Sequence, residues 1–173
     1  MARRPKASPE RLYESTLSWT GLTFRVLSSL QGLRRIELAP SPLEELERRL
    51  KARIVGDDEP NEVVLDQIHG YLRGELQTFT APMDVRGTPF QREVWDAISA
   101  IPYGETVSYS DLAETIGRPK AQRAVGQAVG ANPTPIVVPC HRVIGKSGKL
   151  VGFAGGLPLK ERLLMLERGS LRL

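Results

Sequence analysis

The segment SYSDLAETIGRPKAQRAVGQAVGA, residues 108–131, decides how the second half of this chain folds. Residues 108–117 have the pattern of a short helix ended by a glycine, and residues 121–131 predict a second helix. The Arg-Pro-Lys segment at 118–120 supplies the turn between them. Two short helices joined by three or four residues are typical of a helix-turn-helix, although a helical hairpin that only packs a core gives the same pattern.

The second of these helices carries small side chains where a reader of the major groove would carry long ones. Ala121, Ala124 and Gly126 let another backbone come close, and that partner is either a narrow minor groove or a neighbouring helix. Gln122 and Arg123 supply the main polar reach of the helix. If the partner is a minor groove, we expect Arg123 to enter the duplex.

The next segment, NPTPIVVPCHRV at residues 132–143, holds the single cysteine, Cys140. Neutral thiols are poor nucleophiles, and a nearby base or positive charge raises the thiolate fraction. His141 and Arg142 are adjacent in sequence, but a tight turn or a bridging water is needed to bring the histidine to the sulfur. Glu167, near the end of the chain, can orient the histidine as in a catalytic triad. A buried, inert cysteine beside a hydrogen-bonded histidine is the alternative.

The first half of the chain predicts a mixture of strands and helices. Residues 19–27 and 33–38 predict a β-hairpin. Residues 41–53 predict a helix with a serine cap and a proline at its first position, and residues 61–73 predict a second helix. Residues 78–85 predict a returning strand.

A change of sequence texture places a domain boundary within residues 84–88, between a part spanning 1–85 and a part spanning 86–173. Thr88-Pro89-Phe90-Gln91 is a capping box that predicts a helix start. The helix continues as an apolar stripe of Phe90, Val94, Trp95, Ile98 and Ile101. Residues 158–168 predict an amphipathic last helix.

The composition is that of an ordinary globular protein, with 173 residues, 25% charged residues and a net charge of +4. The basic balance favours a polyanionic partner. One cysteine and two histidines are too few for a disulfide or for a closed structural zinc site, and His69 reads as an ordinary helix residue. No apolar run is long enough to span a membrane, so we expect a cytoplasmic protein. Residues 1–12 are expected to be frayed.

Three strings carry a resemblance to a known family: Pro139-Cys140-His141-Arg142-Val143, Gly152-Phe153-Ala154-Gly155-Gly156-Leu157 and Ala121-Gln122-Arg123-Ala124-Val125-Gly126. They closely resemble the O6-alkylguanine-DNA alkyltransferases, also called methylated-DNA–protein-cysteine methyltransferases. The resemblance is dense from Thr88 to Arg168 and loose over the first 85 residues. It implies an α+β fold with an N-terminal α/β (RNase H-like) domain and a C-terminal, mostly helical, winged helix-turn-helix domain.

The resemblance also implies a reaction. Cys140 is expected to take an alkyl group from O6 of guanine in double-stranded DNA, and from O4 of thymine, once and irreversibly, without a cofactor or metal. His141 would act as a base through a water and be held by Glu167. Tyr109 would donate a proton toward the leaving base, and Asn132 would brace the turn that holds the cysteine.

On the DNA side, the resemblance implies that the damaged nucleotide is flipped out and that Arg123 fills its place from the minor groove. The residues expected on the DNA are Ala121, Gln122, Arg123, Ala124 and Gly126. The expected alkyl pocket comprises Tyr109, Pro135, Val143, Phe153, Ala154 and Gly155, and backbone groups at Cys140 and Val143 would read the guanine edge. Many relatives have Tyr in place of Phe153 and some have Ser in place of Ala154, which leaves the range of accepted alkyl groups open. Residues 145–149 are either a wing that touches phosphates or a solvated turn.

Other functions remain alternatives. A lesion sensor that binds the damage without reacting would lack the cysteine, and Cys140 argues against it. A Cys-His-Glu hydrolase would turn over repeatedly and would need an oxyanion hole, which no motif marks. A methylation-responsive transcription regulator would carry a further DNA-binding domain. We expect a monomer in solution, with cooperative binding along DNA left open.

Overall fold

A four-stranded sheet forms the first part of the computed structural model, which describes residues 9–170. Its strands are β1 (Glu10–Trp19), β2 (Leu22–Ser29), β3 (Gly32–Glu37) and β4 (Ala52–Gly56). The order across the sheet is β3-β2-β1-β4, with β4 parallel to β1 and the other pairs antiparallel. The mixed α+β class predicted from the sequence is therefore confirmed.

The sheet has a first strand that the predicted hairpin did not include, because that prediction began only at Trp19. β1 starts at Glu10, so the expectation of a frayed start is wrong for residues 10–12, and residues 1–8 lie outside the described residues. Leu12 and Leu17 are buried, but the polar residues between them disguise the alternation. The turn into β2 falls at Thr20-Gly21, where both residues have positive φ, inside the stretch predicted as strand.

Helix α1 (Leu43–Leu50) is shorter than predicted and starts differently. Pro42 stands at the cap position and has no side-chain acceptor for a cap hydrogen bond, while Ser41, the predicted cap, donates its hydroxyl to Glu37 Oε1 at 3.2 Å. The helix ends where Lys51 adopts a left-handed conformation, and β4 follows at once. The prediction that this helix continues to Arg53 is therefore wrong, because its last residues belong to a strand whose Ile and Val residues favour β structure.

Helix α2 (Glu62–Leu72) matches the prediction, but the strand predicted at residues 78–85 does not form. That segment meets β3 at a single bridge between Leu33 and Met83. Leu33 N donates to Pro82 O and Asp84 N donates to Leu33 O, each at 2.8 Å. Pro82 has no N–H to donate, which limits how far the pairing can extend.

The second half contains α3 (Pro89–Ser99), α4 (Tyr109–Thr115), α5 (Gln122–Gly130) and α6 (Leu157–Glu167). The predicted capping box at Thr88 and Gln91 is confirmed, and the two helices predicted over residues 108–131 both form. Two short parallel strands, β5 (Val107–Ser108) and β6 (Val143–Ile144), lie between these helices. Residues 145–149, for which the sequence left a wing or a solvated turn open, form a tight turn closed by a hydrogen bond from Gly145 N to Lys149 O at 2.9 Å.

The hydrophobic cores connect the two halves. Helix α6 buries Leu159, Leu163 and Leu166, as predicted, but it buries them in the core beneath the sheet. A second core under α3, α4 and α5 includes Cys140. Phe153 packs against both cores, so the loop before α6 joins them. The domain boundary at 84–88 stays a prediction. Among residues 9–170, every helix is too short or too polar to traverse a bilayer.

Candidate active site

Cys140 lies in a single 3-10 turn, Cys140–Arg142, at the end of the proline-rich segment. Two backbone hydrogen bonds fold the segment that precedes it, from Val138 N to Thr134 O at 2.9 Å and from Cys140 N to Val138 O at 2.8 Å. The residue is 7% exposed. The tight turn that the sequence required beside the cysteine is therefore present.

Asn132 braces this segment from inside, where the sequence placed it. Its side-chain amide donates to Val138 O at 2.8 Å and accepts from Thr134 N at 3.0 Å. Between those contacts, Ile136 adopts φ +77° while its side chain is buried. A β-branched residue rarely adopts positive φ, so the surrounding contacts hold a strained backbone next to the cysteine. Nothing in the sequence pattern indicated this strain.

Glu167 is the hub of the charged groups behind the cysteine, and its side chain is fully buried. His141 Nε2 lies 2.7 Å from Glu167 Oε1, and the Arg142 guanidinium contacts both carboxylate oxygens at 3.0–3.1 Å. The backbone N–H of Gly104, a residue with φ +80°, donates to Oε2 at 2.9 Å. Burial alone would raise the pKa of Glu167, but the hydrogen bonds from His141 and Arg142 outweigh it and lower that pKa to about 2.

The protonation states follow from this arrangement. Burial lowers the pKa of His141, against the opposing effect of Glu167, so the ring is neutral near pH 7. Its one proton sits on Nε2, because that atom faces a carboxylate that can only accept. The lone pair is then on Nδ1, which is buried and has no hydrogen-bond partner among the described residues.

The cysteine needs such a base. Burial raises the pKa of Cys140, and the nearby Asn132 and Lys160 side chains only partly oppose that effect. The resting sulfur is therefore a thiol at neutral pH, and a proton acceptor must remove its hydrogen before the sulfur can attack. A neutral histidine with a free Nδ1 is suited to that task.

Tyr71 is a member of this cluster that sequence reasoning missed. Its hydroxyl donates to Glu167 Oε1 at 2.7 Å and lies 3.2 Å from His141 Nε2. The residue belongs to α2, 96 positions before Glu167, and is fully buried. The available signal was a tyrosine inside a buried helical stripe, because a buried tyrosine hydroxyl requires a partner.

A cavity of about 240 Å³ opens beside the cysteine. It brings together most of the predicted pocket, with lining residues Tyr109, Asn132, Pro135, Cys140, Phe153 and Ala154. Two residues that were also expected in the pocket, Val143 and Gly155, do not line this cavity. Val143 is buried in the core under α3, α4 and α5, and a Cβ on Gly155 would meet Leu159 and Leu38. The Val143 carbonyl accepts from Lys160 Nζ at 2.6 Å.

Tyr109 begins α4 at the edge of this cavity, behind the cap formed by Ser108. Burial, and then the negative charge of a Cys140 thiolate, raise the pKa of its hydroxyl. Tyr109 therefore keeps its proton and can donate it. A Cβ added to Gly126 would stand 3.8 Å from the Tyr109 ring, so the glycine leaves the space beside that ring open.

Helix α5 joins the cavity to the protein surface. Gln122, Arg123 and Ala124 are exposed, and Ala121 is partly exposed at the helix start. Gly126 instead lines the cavity, so the predicted DNA-facing residues divide between the outer surface and the cavity wall. The helix carries no acidic residue, which leaves Arg123 as its charged side chain. A ligand held at the outer face of α5 would lie at the entrance to Cys140.

Two remaining groups complete the description. Lys160, which sequence reasoning also missed, is buried and donates from Nζ to the carbonyls of Val143 and Val151 at 2.6 and 2.9 Å. His69 is exposed on α2, away from the cluster. Within the part of the chain that the structure describes, no three His, Cys, Asp or Glu side chains are grouped to hold a metal ion.

Comparisons with known proteins agree on one family. The family model described as 6-O-methylguanine DNA methyltransferase, DNA binding domain, matches residues 89–169. The inducible methylated-DNA–protein-cysteine methyltransferase of Bacillus subtilis is 46% identical over 162 residues, which cover 91% of this chain and 90% of that protein. The crystal structure of Mycobacterium tuberculosis O6-methylguanine methyltransferase superposes with a TM-score of 0.79 at 38% identity, covering 93% of this chain and 95% of that one. Mycobacterium tuberculosis OGT in complex with DNA gives a TM-score of 0.80 at 39% identity, covering 92% and 94%.

Proposed function

This chain belongs to the O6-methylguanine DNA methyltransferase family, and we propose from that membership and from the Cys140 site that it repairs DNA by taking an alkyl group from O6 of guanine onto Cys140. It is a methylated-DNA–protein-cysteine methyltransferase. The observation that carries the proposal is the placement of its single cysteine at the wall of the 240 Å³ cavity, in the same turn as His141, which pairs with Glu167.

The reaction is a direct displacement at carbon. His141 takes the thiol proton at Nδ1, through a bridging water, while Glu167 holds the N–H on the other side of the ring and stabilises the imidazolium that forms. The sulfur forms a bond to the alkyl carbon as the carbon–O6 bond breaks. The electron pair of that bond stays on the guanine, and Tyr109 supplies a proton to the base. The protein keeps a thioether, and among the described residues that line the cavity Cys140 is the only thiol.

The target atom lies inside the duplex, so the nucleotide has to be flipped out before it can enter the cavity. Helices α4 and α5 act as a helix-turn-helix with α5 in the minor groove, and the turn at 145–149 serves as the wing of a winged helix. Arg123 fills the gap in the stack, and the small residues of α5 let its backbone approach the groove. Phosphate contacts add affinity without sequence preference, which suits a search for damage.

Several finer features belong to the same proposal. O4 of thymine is a second substrate because it presents an alkyl group in a similar position on a flipped base. The first half of the chain is an RNase H-like α/β domain that supports the site. The protein acts as a cytoplasmic monomer on double-stranded DNA that contains O6-alkylguanine.

The decisive experiment mixes the full chain with duplex DNA that contains O6-methylguanine and weighs the intact protein. We expect one added methyl group, about 14 Da, located on Cys140 by peptide mapping, and one lesion repaired per protein molecule. Repeated repair beyond one equivalent would contradict a stoichiometric transfer and favour a hydrolase. Loss of the lesion with an unmodified Cys140 would also overturn the proposal.

A matched variant separates binding from chemistry. Cys140→Ser keeps a similar side-chain size, so we expect it to bind the methylated duplex with nearly unchanged affinity and to accept no methyl group. If Cys140→Ser repaired the DNA at the wild-type rate, the sulfur would not be the acceptor. If the wild-type chain bound the lesion and never reacted, a lesion sensor would be the better description.

A further inference from the structure

Three atoms behind the cysteine form a closed triangle. The Tyr71 hydroxyl and the His141 Nε2–H both reach Glu167 Oε1 at 2.7 Å, and the hydroxyl oxygen lies 3.2 Å from Nε2. All three side chains are buried, so water does not dilute these contacts. Tyr71 and His141 therefore share one carboxylate oxygen. The more of its negative charge one donor stabilises, the weaker the hydrogen bond that this oxygen forms with the other.

Tyr71 is the donor in its hydrogen bond to Glu167, because its hydroxyl keeps its proton. Burial, followed by the charge of Glu167, raises the pKa of Tyr71 well above its ordinary value, so the hydroxyl stays protonated. A protonated hydroxyl beside a carboxylate acts as a donor, and a donor stabilises part of the carboxylate charge. Glu167 is then a weaker partner for the histidine N–H than it would be without the tyrosine.

We propose that Tyr71 is a positioning residue of the alkyl-transfer relay, whose hydroxyl shares Glu167 Oε1 with His141 and so limits how strongly Glu167 holds a second proton on the imidazole. The assignment of this relay to alkyl transfer rests on the proposed function; the contact between the three residues does not. The consequence is that the imidazole stays neutral, with Nδ1 free to take the proton of Cys140.

Among the groups around His141, Glu167 is the one that raises the pKa of the ring, and this is the effect that Tyr71 weakens. The charged and titratable groups that act on the ring are Glu167 and Lys160 from α6, Arg142 from its own turn, and Tyr71 from α2, with Cys140 next to His141 in the chain. Lys160 and Arg142 are cationic and disfavour a second positive charge, whereas Glu167 favours it. A weaker interaction between Glu167 and the ring therefore lowers the pKa of His141, as the two cations do.

The test replaces the hydroxyl alone. Tyr71→Phe keeps the ring in the core, and the alkylation of Cys140 by iodoacetamide, followed by intact mass, reports the relay without DNA because the chain has one cysteine. The rate falls at low pH, since a His141 already protonated from solvent cannot take the thiol proton. We expect the midpoint of that fall to move up by about half to one pH unit in Tyr71→Phe, as the loss of one hydrogen bond to the carboxylate implies. Above the fall, the rate should stay within about threefold of wild type or increase, because a more basic histidine is a better acceptor.

Tyr103→Phe is the matched control. Tyr103 packs edge-on against Tyr71, with ring centroids 6.0 Å apart, but its hydroxyl is not among the groups within residues 9–170 that hydrogen-bond to Glu167. We expect the midpoint in Tyr103→Phe to match wild type. A profile of Tyr71→Phe that is lowered equally at every pH, or an equal shift in Tyr103→Phe, would overturn the proposal.

A second readout works on the wild-type protein and covers the case of an unstable variant. The chain has two histidines, so ¹⁵N-labelled imidazole spectra resolve His141 from the exposed His69. We expect the wild-type His141 ring to stay neutral to lower pH than an imidazole in the unfolded chain and to carry its proton on Nε2. A His141 ring that takes up its second proton at higher pH in the folded protein than in the urea-unfolded chain would overturn the proposal. Methyl uptake by the wild type from methylated DNA is measured in parallel, so that a failure of the proposed function is seen separately from a failure of the role given to Tyr71.

Discussion

Glu167 is a buried carboxylate whose charge is balanced by hydrogen bonds from Arg142, His141 and Tyr71. Its pKa falls from 4.5 to about 2 on folding. A depressed carboxyl pKa stabilises the folded state above the unfolded value, and this stabilisation is lost as the pH falls through the folded value. The shift corresponds to about 3 kcal/mol at neutral pH.

Glu167→Gln tests this contribution by removing the charge at nearly constant size. Because Arg142 is left buried without a counter-charge, we expect the free energy of unfolding to fall by about 3 kcal/mol at pH 7. The difference from wild type should shrink as the pH drops from about 4.5 toward 2. Urea titrations at a series of pH values measure it.

Glu75→Gln is the control for this prediction, since Glu75 pairs with Arg73 at the surface. Solvent screens such a pair, and we expect almost no change in stability at any pH. A Glu167→Gln difference that is independent of pH would show that the loss comes from packing rather than from charge.

Sequence reasoning found the reacting residues but not all of their supports. Cys140 and His141 stand in one distinctive string, and Glu167 follows from the triad logic together with the family resemblance. Tyr71 could not be paired in advance because its partner lies 96 positions away, and Lys160 because its partners are backbone carbonyls, which the sequence does not distinguish. A sequence shows that a buried polar group needs a partner, but only the packed fold shows which one it has.

At the scale of elements, helix α5 carries the prediction for DNA. Arg123 is exposed on α5 beside Gly126 of the cavity wall, so its loss should impair the flipped state more than general binding. For Arg123→Ala we expect the single-turnover repair rate to fall at least about tenfold, with affinity for undamaged duplex lowered far less. Rapid-quench kinetics and fluorescence anisotropy separate the two. Arg73→Ala, which removes an exposed arginine after α2, should change neither, and an unchanged repair rate in Arg123→Ala would remove its assigned role.

Helix α6 holds β6 and the following loop through one buried ammonium group. Lys160→Met keeps the length of the side chain but leaves the carbonyls of Val143 and Val151 without their donor. We expect a loss of about 2–4 kcal/mol in the free energy of unfolding, because the buried carbonyl of Val143 and the partly buried carbonyl of Val151 each lose a charged hydrogen bond. Amide exchange should become faster at β6 and near Val151. Lys149→Met, at an exposed neighbouring position, should leave both measurements unchanged.

The elements that could be predicted are those whose signals are local. A capping box and an apolar stripe predicted α3, a short helical pattern ended by a glycine predicted α4, and the helix-turn-helix spacing predicted α5. The strands β1 and β4 were missed because their support is not local: β4 pairs with β1 across more than 30 positions of sequence, and the outer face of β1 is polar. The reverse error at residues 78–85 arose because a proline interrupts what composition alone favours as a strand.

At the scale of the whole molecule, the reacting cysteine depends on both halves of the chain. Tyr71 from the first half reaches Glu167 in the second, and Ile136, whose own backbone is strained, packs into the core beneath the sheet. Leu163 of α6 lies in that same core. These contacts couple the stability of the sheet to the geometry of the site, although the sequence placed a boundary between the two parts at 84–88.

Cooperative unfolding tests whether that boundary separates independent units. The chain has one tryptophan in each part, Trp19 in β1 and Trp95 in α3, so Trp19→Phe and Trp95→Phe leave one fluorescent reporter for each half. We expect both reporters to give the same urea midpoint, because α6 packs into the core of the first half. Leu163→Ala should lower both midpoints together, by about 2–5 kcal/mol in the free energy of unfolding, since it opens a cavity in the shared core. Two separate midpoints, or a Leu163→Ala effect confined to one reporter, would mean that the halves fold independently and that the contact between Tyr71 and Glu167 forms only when they dock.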